Sequence, residues 1–475
     1  MTQSGAPLPL SLNAIHGLGS VTYGVKEAGL TTFFMIYYNQ VLGFDPRIVS
    51  AVLVGAMLVE AVADPAIGRL SDATRSRFGR RLPWLYLSAV PMAIAWALLW
   101  LPESMIPHNF WTLLINVIAI RLLVSACEIP SVSLVAELTR DYDARTTLMR
   151  FRFLFGWLGG LITTAMAYLV FLRAPDGSDN GMLNPDGYAA FGLFGAVLII
   201  SSTLASAIGQ HRRVMALPPP AVVDRTHGGN MITDVMTALR HPAFLSLALG
   251  TFFLIAGYAL SISGLNYVLL YVWRFSDAQI SGFPVVLVLA VLAAFLTVSP
   301  AHRRLGKRDT AMRFVLFGGA MGLAPYLARN FGLWPALGST GSMLLLFLFM
   351  VTALFGQIVA NISTSSMVAE IVEAHEAETG TRAEGVFFAG YFMVQKLGNA
   401  TGIIMVGQII ALAGLEEKIS PDALPPGTAT AMAWAFGGVL STLACLTTWG
   451  LRNYPITRDN HAARIAALAV REDGA

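Results

Sequence analysis

Charge is scarce in this chain. Only 12% of its 475 residues are charged, whereas an average soluble domain carries about 25%. With 55% hydrophobic residues and a mean hydropathy of +0.64, there is too little polar surface to cover a globular body of this length, so lipid must be the solvent over much of the chain. Cysteine is nearly absent. Cys127 and Cys445 lie in apolar runs and no Cys-x-x-Cys occurs, which excludes a disulfide framework and a zinc ribbon and leaves two small buried hydrophobes. The net charge is only +3, so no basic field offers itself to nucleic acid. The first twelve residues hold no Lys or Arg; a cleavable leader needs a basic start, so the first apolar segment is expected to stay in the mature protein. His16, His211, His227, His241, His302 and His375 form no metal-ligand pair with an acid at helical spacing. Neither a nucleophile elbow nor a phosphate loop is present. No enzyme, cofactor or metal centre is expected, beyond a transported ion.

What the chain does have is long apolar runs. A bilayer core takes roughly 20 apolar residues as a helix. Twelve runs qualify, near 15–43, 48–71, 83–102, 110–137, 149–172, 189–210, 244–273, 278–300, 311–328, 341–370, 384–413 and 429–451. The expected fold is all-α and multi-pass, with twelve transmembrane helices in two six-helix pseudo-repeats. Lys and Arg are enriched in cytoplasmic loops. With both ends cytoplasmic, 21 of the 31 Lys and Arg fall on the cytoplasmic side, and only Arg47, Arg173, Arg274, Arg329 and Lys418 fall opposite. Both termini are therefore expected inside, most naturally at a bacterial inner membrane. The longest polar interruption, 211–243, contains three consecutive prolines and a Gly pair, as a linker does. The expected domains are a bundle over 1–210, a cytoplasmic linker over 211–243, a second bundle over 244–452 and a tail over 453–475. The loops after runs two and eight, GRLSDATRSRFGRR and HRRLGKRD, echo each other, as repeat-built transporters do.

Ionisable residues in mid-bilayer cost about 2.5–3.5 kcal/mol each on insertion scales, so each needs a reason. Run one carries Lys26 and Glu27, and Gly17, Gly19, Gly24 and Gly29 thin it for close approach. Adjacent residues lie about 100° apart on a helix, so the two are expected to border one cavity without pointing the same way. Run two carries Glu60 and Asp64, which share a face at i, i+4. Two anions there repel unless a cation sits between them or one is protonated. Either escape describes a coupling-ion site; the alternative is neutralisation by Lys26 and Arg152. Run four carries Arg121 and Glu128, with Pro130 beyond, and run five starts with Arg150 and Arg152. Arg121 suits an ion pair with an acid on a neighbouring helix, and Arg152 an inward turn toward the acids. In the second half, Lys396 stands alone among Gln395 and Asn399, and Tyr258, Ser261, Asn266, Tyr271 and Gln357 are neutral polar groups in apolar runs. They suit an uncharged polyol-like ligand or hydrogen bonds between helices.

The stretch Asp64-Pro65, Gly68, Ser71-Asp72, Thr74-Arg75-Ser76-Arg77, Gly79-Arg80-Arg81 and Pro83-Trp84 resembles the glycoside–pentoside–hexuronide:cation symporters of the major facilitator superfamily. Lys26-Glu27, Glu128-Ile129-Pro130, Arg152 and Lys396 extend the resemblance over essentially the whole chain. It implies that Glu60 and Asp64 bind the coupling cation, H+ or Na+. It implies that Lys26, Glu27, Glu128, Arg152, Asn266 and Lys396 surround a small polar solute, in sugar carriers of the melibiose-permease type a sugar. The loop with Asp72, Arg75, Arg77, Arg80 and Arg81 would latch an outward-open state. The chain departs from that type in three ways. Ala63 stands where an Asn amide often precedes the Asp-Pro, which favours a proton; Val132 replaces a sugar-stacking Trp; and both sugar-binding acids are Glu. The same family resembles animal sodium-coupled lysophospholipid carriers, so an amphiphile is the alternative cargo. The expected partners are solute, coupling cation and bilayer, with no nucleic acid, and the chain is expected to work as a monomer.

Overall fold

The computed structural model describes residues 8–102, 104–105, 107–139, 141–174, 180–216, 238, 240–379 and 383–456. Every regular element among them is helical. That is the outcome a chain without water around it must reach, because a helix satisfies each backbone N–H and C=O within its own segment. The chain divides into two compact units, Met1–Asp224 and Arg225–Ala475. Most of the polar stretch expected to link them, 217–237, and the tail from 457 onward lie outside the described residues.

The first unit contains α1 (Leu10–Leu18), α2 (Val21–Ala28), α3 (Phe34–Ile36), α4 (Pro46–Ala73), α5 (Leu82–Trp100), α6 (Phe110–Leu138), α7 (Tyr142–Met166) and α8 (Pro185–Met215). Local chemistry sets several of the starts. Asp45 caps α4 by accepting from the Arg47 N–H, with Pro46 pre-set in the first turn. Asn109 and Thr112 form a capping box at α6. The second unit is built on Pro242–Ser263, Phe283–Leu305, Lys307–Asn330, Thr340–Thr379, Glu384–Leu412 and Thr428–Leu451. Among the described residues, ten helices are long and apolar enough to cross a membrane. The two remaining expected segments are also helical. Glu384–Leu412 is one helix of 29 residues. Residues 10–41 are a run of short α pieces joined by a turn and by π turns at Gly29–Phe33 and Tyr37–Val41. This run begins five residues earlier than hydropathy suggested, because Pro9 is its N-cap.

The two units share a local device. The first helical run of each ends in a π turn, Tyr37–Val41 and Val268–Val272. Leu42 N–H donates to Tyr37 C=O at 3.0 Å and Phe44 N–H to Tyr38 C=O at 2.9 Å; in the second unit Trp273 donates to Val268 at 3.0 Å and Phe275 to Leu269 at 3.0 Å. Gly43, at φ 82°, is matched by Arg274, at φ 56°.

The first run is held by close backbone approach. A side chain on Gly24 would put its Cβ 2.1 Å from the Gly156 carbonyl oxygen and 2.5 Å from the Gly160 nitrogen, so α2 and α7 meet nearly backbone to backbone. This contact sets Lys26 and Glu27 beside the helix that carries Arg152. The apolar faces turned outward bear residues such as Leu87, Ile115, Leu296 and Leu344, all more than half exposed, as a lipid-facing surface requires.

Replacing Gly24 with Val should force α2 and α7 apart at a cost of about 1–3 kcal/mol or more, read as a lower unfolding temperature in detergent. Gly55→Ala on α4, where nothing lies within 4 Å of the new Cβ, should hold or raise it, because a helical Gly costs about 0.5–1 kcal/mol relative to Ala.

Candidate functional site

Three helices of the first unit bring the predicted charges together. The α4 acid Glu60 accepts from the Arg121 Nη1 of α6 at 2.6 Å. The Glu128 carboxylate of α6 accepts from Arg152 Nη2 of α7, and Arg152 Nη1 donates to Ser131 Oγ at 2.6 Å. The inward turn expected of Arg152 is thus realised toward α6. Arg121, which was not among the expected partners of the α4 acids, thus pairs with Glu60. Asp64 lies one turn further along α4 and is half-buried.

Lys26 and Glu27 correct an expectation. Although adjacent on α2, their head groups meet at 3.4 Å. Helical angle fixes where a side chain leaves the backbone, but two long, flexible stems can curl back so that opposite charges meet. Glu27 also accepts from Thr31 Oγ1 at 3.2 Å. The Lys26 ammonium sits 4.7 Å from the centroid of the Tyr23 ring, within cation–π range. Tyr23 lies within electrostatic reach of Glu27, Glu128, Glu60 and Arg121 and is nevertheless 43% exposed.

Exposure separates the acids. The Glu27 side chain is 40% exposed and that of Glu128 28%, while that of Glu60 is only 12%. Glu27, Glu128 and Tyr23 thus form a partly exposed rim, and Glu60 is more deeply buried.

The loop between α4 and α5 is held separately. Arg81 pairs with Asp72 and donates to Ser71. Both Arg80, at 2.7 Å, and Arg81, at 3.1 Å, reach Glu137 near the end of α6. Arg75 and Arg77 are exposed, and the Arg77 guanidinium stacks over Phe78 at 4.6 Å. The four arginines therefore split into two buttressed and two outward-facing. The second unit repeats the buttress. Gly306 has φ 78°, as Gly79 does, and the adjacent Lys307 pairs with Glu370 at 2.9 Å, which also accepts from the Tyr454 hydroxyl at 3.2 Å.

In the second unit Asn266 is fully buried in the short helix Leu265–Tyr267, and Lys396 is half-buried on Glu384–Leu412. The neutral groups chiefly bind helices. Ser261 donates to the Gly257 carbonyl at 2.8 Å and accepts from Gln357 Nε2 at 3.4 Å. Tyr271 donates to the Ile419 carbonyl at 2.9 Å. Ser261 and Gln357 also line a small, mainly apolar cavity of about 80 Å³.

Glu137, Glu370 and Tyr23 were not anticipated. A carboxylate near a helix end looks solvated in a sequence, and a tyrosine in an apolar run looks like core. Only the Lys26 three residues on signalled that Tyr23 faces charge. Arg121 was read as an ion-pair residue without its partner.

The profile described as MFS/sugar transport protein matches residues 15–458. The chain belongs to that family. Its members are transporters rather than enzymes, and the protein is a multi-pass membrane transporter of the major facilitator superfamily. The transporter is 25% identical to the "uncharacterized symporter sll1374" of Synechocystis, over 98% of each chain. It is 24% identical to the isoprimeverose transporter of Lactiplantibacillus pentosus, over 86% of this chain and 81% of that one. Among solved structures it is similar to the xylose transporter XylE of E. coli in an inward open conformation, with a TM-score of 0.60, 15% identity and 96% and 99% of the two chains covered. At that identity the likeness speaks for the fold.

Glu137→Gln should release Arg80 and Arg81 together and destabilise the transporter by about 1–3 kcal/mol, less than a fully buried pair would lose because Arg80 and Glu137 are part-exposed. Asp72→Asn, on a side chain 49% exposed, should cost about 0–1 kcal/mol. Parallel thermal unfolding of the two variants distinguishes these outcomes.

Proposed function

We propose that this transporter is a secondary active symporter that moves a small polar solute, of the sugar or glycoside class, together with a cation by alternating access. The observation that carries the reading is this partly exposed rim in an otherwise apolar bundle, with two carboxylates, Glu27 and Glu128, and the Tyr23 ring, and with the buried Arg152 paired to Glu128. Sugar hydroxyls donate to carboxylates and accept from guanidinium and ammonium groups. The C–H face of a sugar ring suits the face of Tyr23. The name of one relative, an isoprimeverose transporter, agrees with such a solute. An amphiphile is the weaker reading, because this rim offers an acyl chain four ionisable groups and little apolar surface.

In this reading Glu60 and Asp64 form the cation site, and Lys26, Glu27, Glu128 and Arg152 the first-unit part of the solute site. The resemblance implies solute contacts for Asn266 and Lys396 as well, and Arg80 and Arg81, with Asp72, brace the cytoplasmic loop. The cation lowers the negative charge of α4 and thereby favours solute binding, and the solute favours cation binding to the same degree. The ten apolar helices, the broken run 10–41 and Glu384–Leu412 make twelve spans. The matching π turns, left-handed residues and loop buttresses support two six-helix repeats, 1–210 and 244–452, joined by 211–243. The proposed setting is a bacterial inner membrane, with both ends and the tail 453–475 in the cytoplasm and the monomer as the working unit. One relative's name, "inner membrane symporter YicJ" of E. coli, agrees with that location.

Uptake into proteoliposomes across a panel of pentosides, glucosides and hexuronides tests the solute class; accumulation of lysolipids in preference to every sugar overturns it. Asp64→Asn should abolish ion-driven accumulation while leaving insertion intact. Glu128→Ala should weaken solute binding by about tenfold or more, the worth of a charge-assisted hydrogen bond. Calorimetry should find cation binding of the same variant less affected.

A further inference from the structure

At one end of the second unit, hydrogen-bond donors gather without acceptors. Arg274 follows the π turn Val268–Val272 and is exposed, with φ 56°. A left-handed backbone costs a residue other than glycine energy, and the surroundings must maintain it. Arg274 lies within electrostatic reach of Arg329, in the last turn of Lys307–Asn330. Arg329 Nε donates to the Val272 carbonyl at 3.2 Å, and Nη1 donates to Asn330 Oδ1 at 2.8 Å. Among the described residues, no carboxylate forms an ion pair with either arginine. The Asn330 amide nitrogen is buried without a hydrogen-bond partner, and so is the indole nitrogen of the fully buried Trp273. Buried donors and paired cations of this kind are satisfied by a ligand that is rich in acceptors and negatively charged.

Below these groups the unit has apolar room. Trp273 packs on Tyr326 with ring centroids 5.7 Å apart, and both line the cavity of about 80 Å³ together with Pro325, Met321 and Met350. A second cavity, of about 50 Å³, shares Gly322, Ala353, Gln357 and Leu440 with the first, so the room continues along the helices. Those helices also bear exposed apolar side chains, among them Phe317, Leu344 and Leu348, as lipid-facing helices do. Beside Arg329, the exposed rings of Phe331 and Trp434 meet with centroids 6.0 Å apart. Exposed aromatic rings at helix ends mark the boundary between lipid and water, which sets the two arginines at headgroup depth.

We propose that this end of the second unit is a binding site for an anionic glycerophospholipid. Arg274 and Arg329 hold the phosphate, the Asn330 amide and the Trp273 indole donate to phosphate or ester oxygens, and the first carbons of an acyl chain enter the cavity past Tyr326. A free phosphate would answer the arginines but not an indole donor on an apolar cavity. A plain hydrocarbon would fill the cavity and leave every donor unmet. Basic pockets between membrane helices take anionic headgroups in this way. Because Arg329 also holds the Val272 carbonyl, a bound phosphate braces the π turn that ends the first helical run of this unit. The site is built wholly from second-unit residues, and lipid there is a resident ligand rather than cargo.

The test uses the purified, delipidated full-length transporter in a neutral detergent, titrated with dioleoylphosphatidylglycerol, dioleoylphosphatidylcholine or glycerol 3-phosphate and followed by thermal unfolding. Phosphatidylglycerol should stabilise the native chain, and the other two should do so far less. Arg274→Gly removes a cation at a backbone angle that glycine adopts freely, so the fold is kept while apparent affinity for phosphatidylglycerol falls about tenfold or more. Arg329→Gln should lose as much. Gly322→Leu, which occupies the cavity and leaves both arginines in place, should also weaken binding. If Arg329→Gln or Gly322→Leu does not fold, Arg274→Gly decides. Equal stabilisation by glycerol 3-phosphate or by phosphatidylcholine, no response of the native chain, or a native-like response of Arg274→Gly overturns the inference. Binding is read without any transported solute, so either result leaves the symport reading where it stood.

Discussion

A charge inside a bilayer must find its opposite within the protein. In the first unit this constraint decides which helices meet. Arg121 and Glu60 tie α6 to α4, Arg152 and Glu128 tie α7 to α6, and Arg80 and Arg81 tie the α4–α5 loop to Glu137. Removing one partner of such a pair leaves a buried uncompensated charge, which is costlier than never having had the pair. The charges therefore act as registry marks on helices whose apolar surfaces would slide past one another in lipid, where no hydrophobic force drives helix against helix. Close glycine contacts such as Gly24 on Gly156 complete the arrangement by bringing α2 nearly backbone to backbone against α7.

Much of the fold was legible because lipid leaves hydropathy little freedom. The run expected at 110–137 is the helix Phe110–Leu138, and that at 429–451 is Thr428–Leu451. The expected run 15–43 concealed its breaks, since π turns need no special residue and leave hydropathy unchanged. Run 341–370 extends to Thr379, where polar residues past the membrane continue a helix that hydropathy had ended.

The site was legible as a list of charges and much less as a set of pairs. A sequence says that Arg121 needs an acid; only the packing of α6 on α4 says that the acid is Glu60. It gives the angle between Lys26 and Glu27 but not the reach of their stems. Glu137 escaped notice because a terminal glutamate has an easy explanation in solvent. Its importance comes from two arginines fifty-odd residues earlier in the chain (Arg80 and Arg81), which a loop returns to the same helix end.

The π turns at Tyr37–Val41 and Val268–Val272 give the two units a reserve of length. Each winds one residue more into a turn than an α-helix would. That surplus can be surrendered by rewinding, without pulling on the rungs below. The slack of these two turns is thus stored at the end of each first run, next to the left-handed bend, so that end can adjust its fit while Lys26 and Glu27 keep their depth and azimuth.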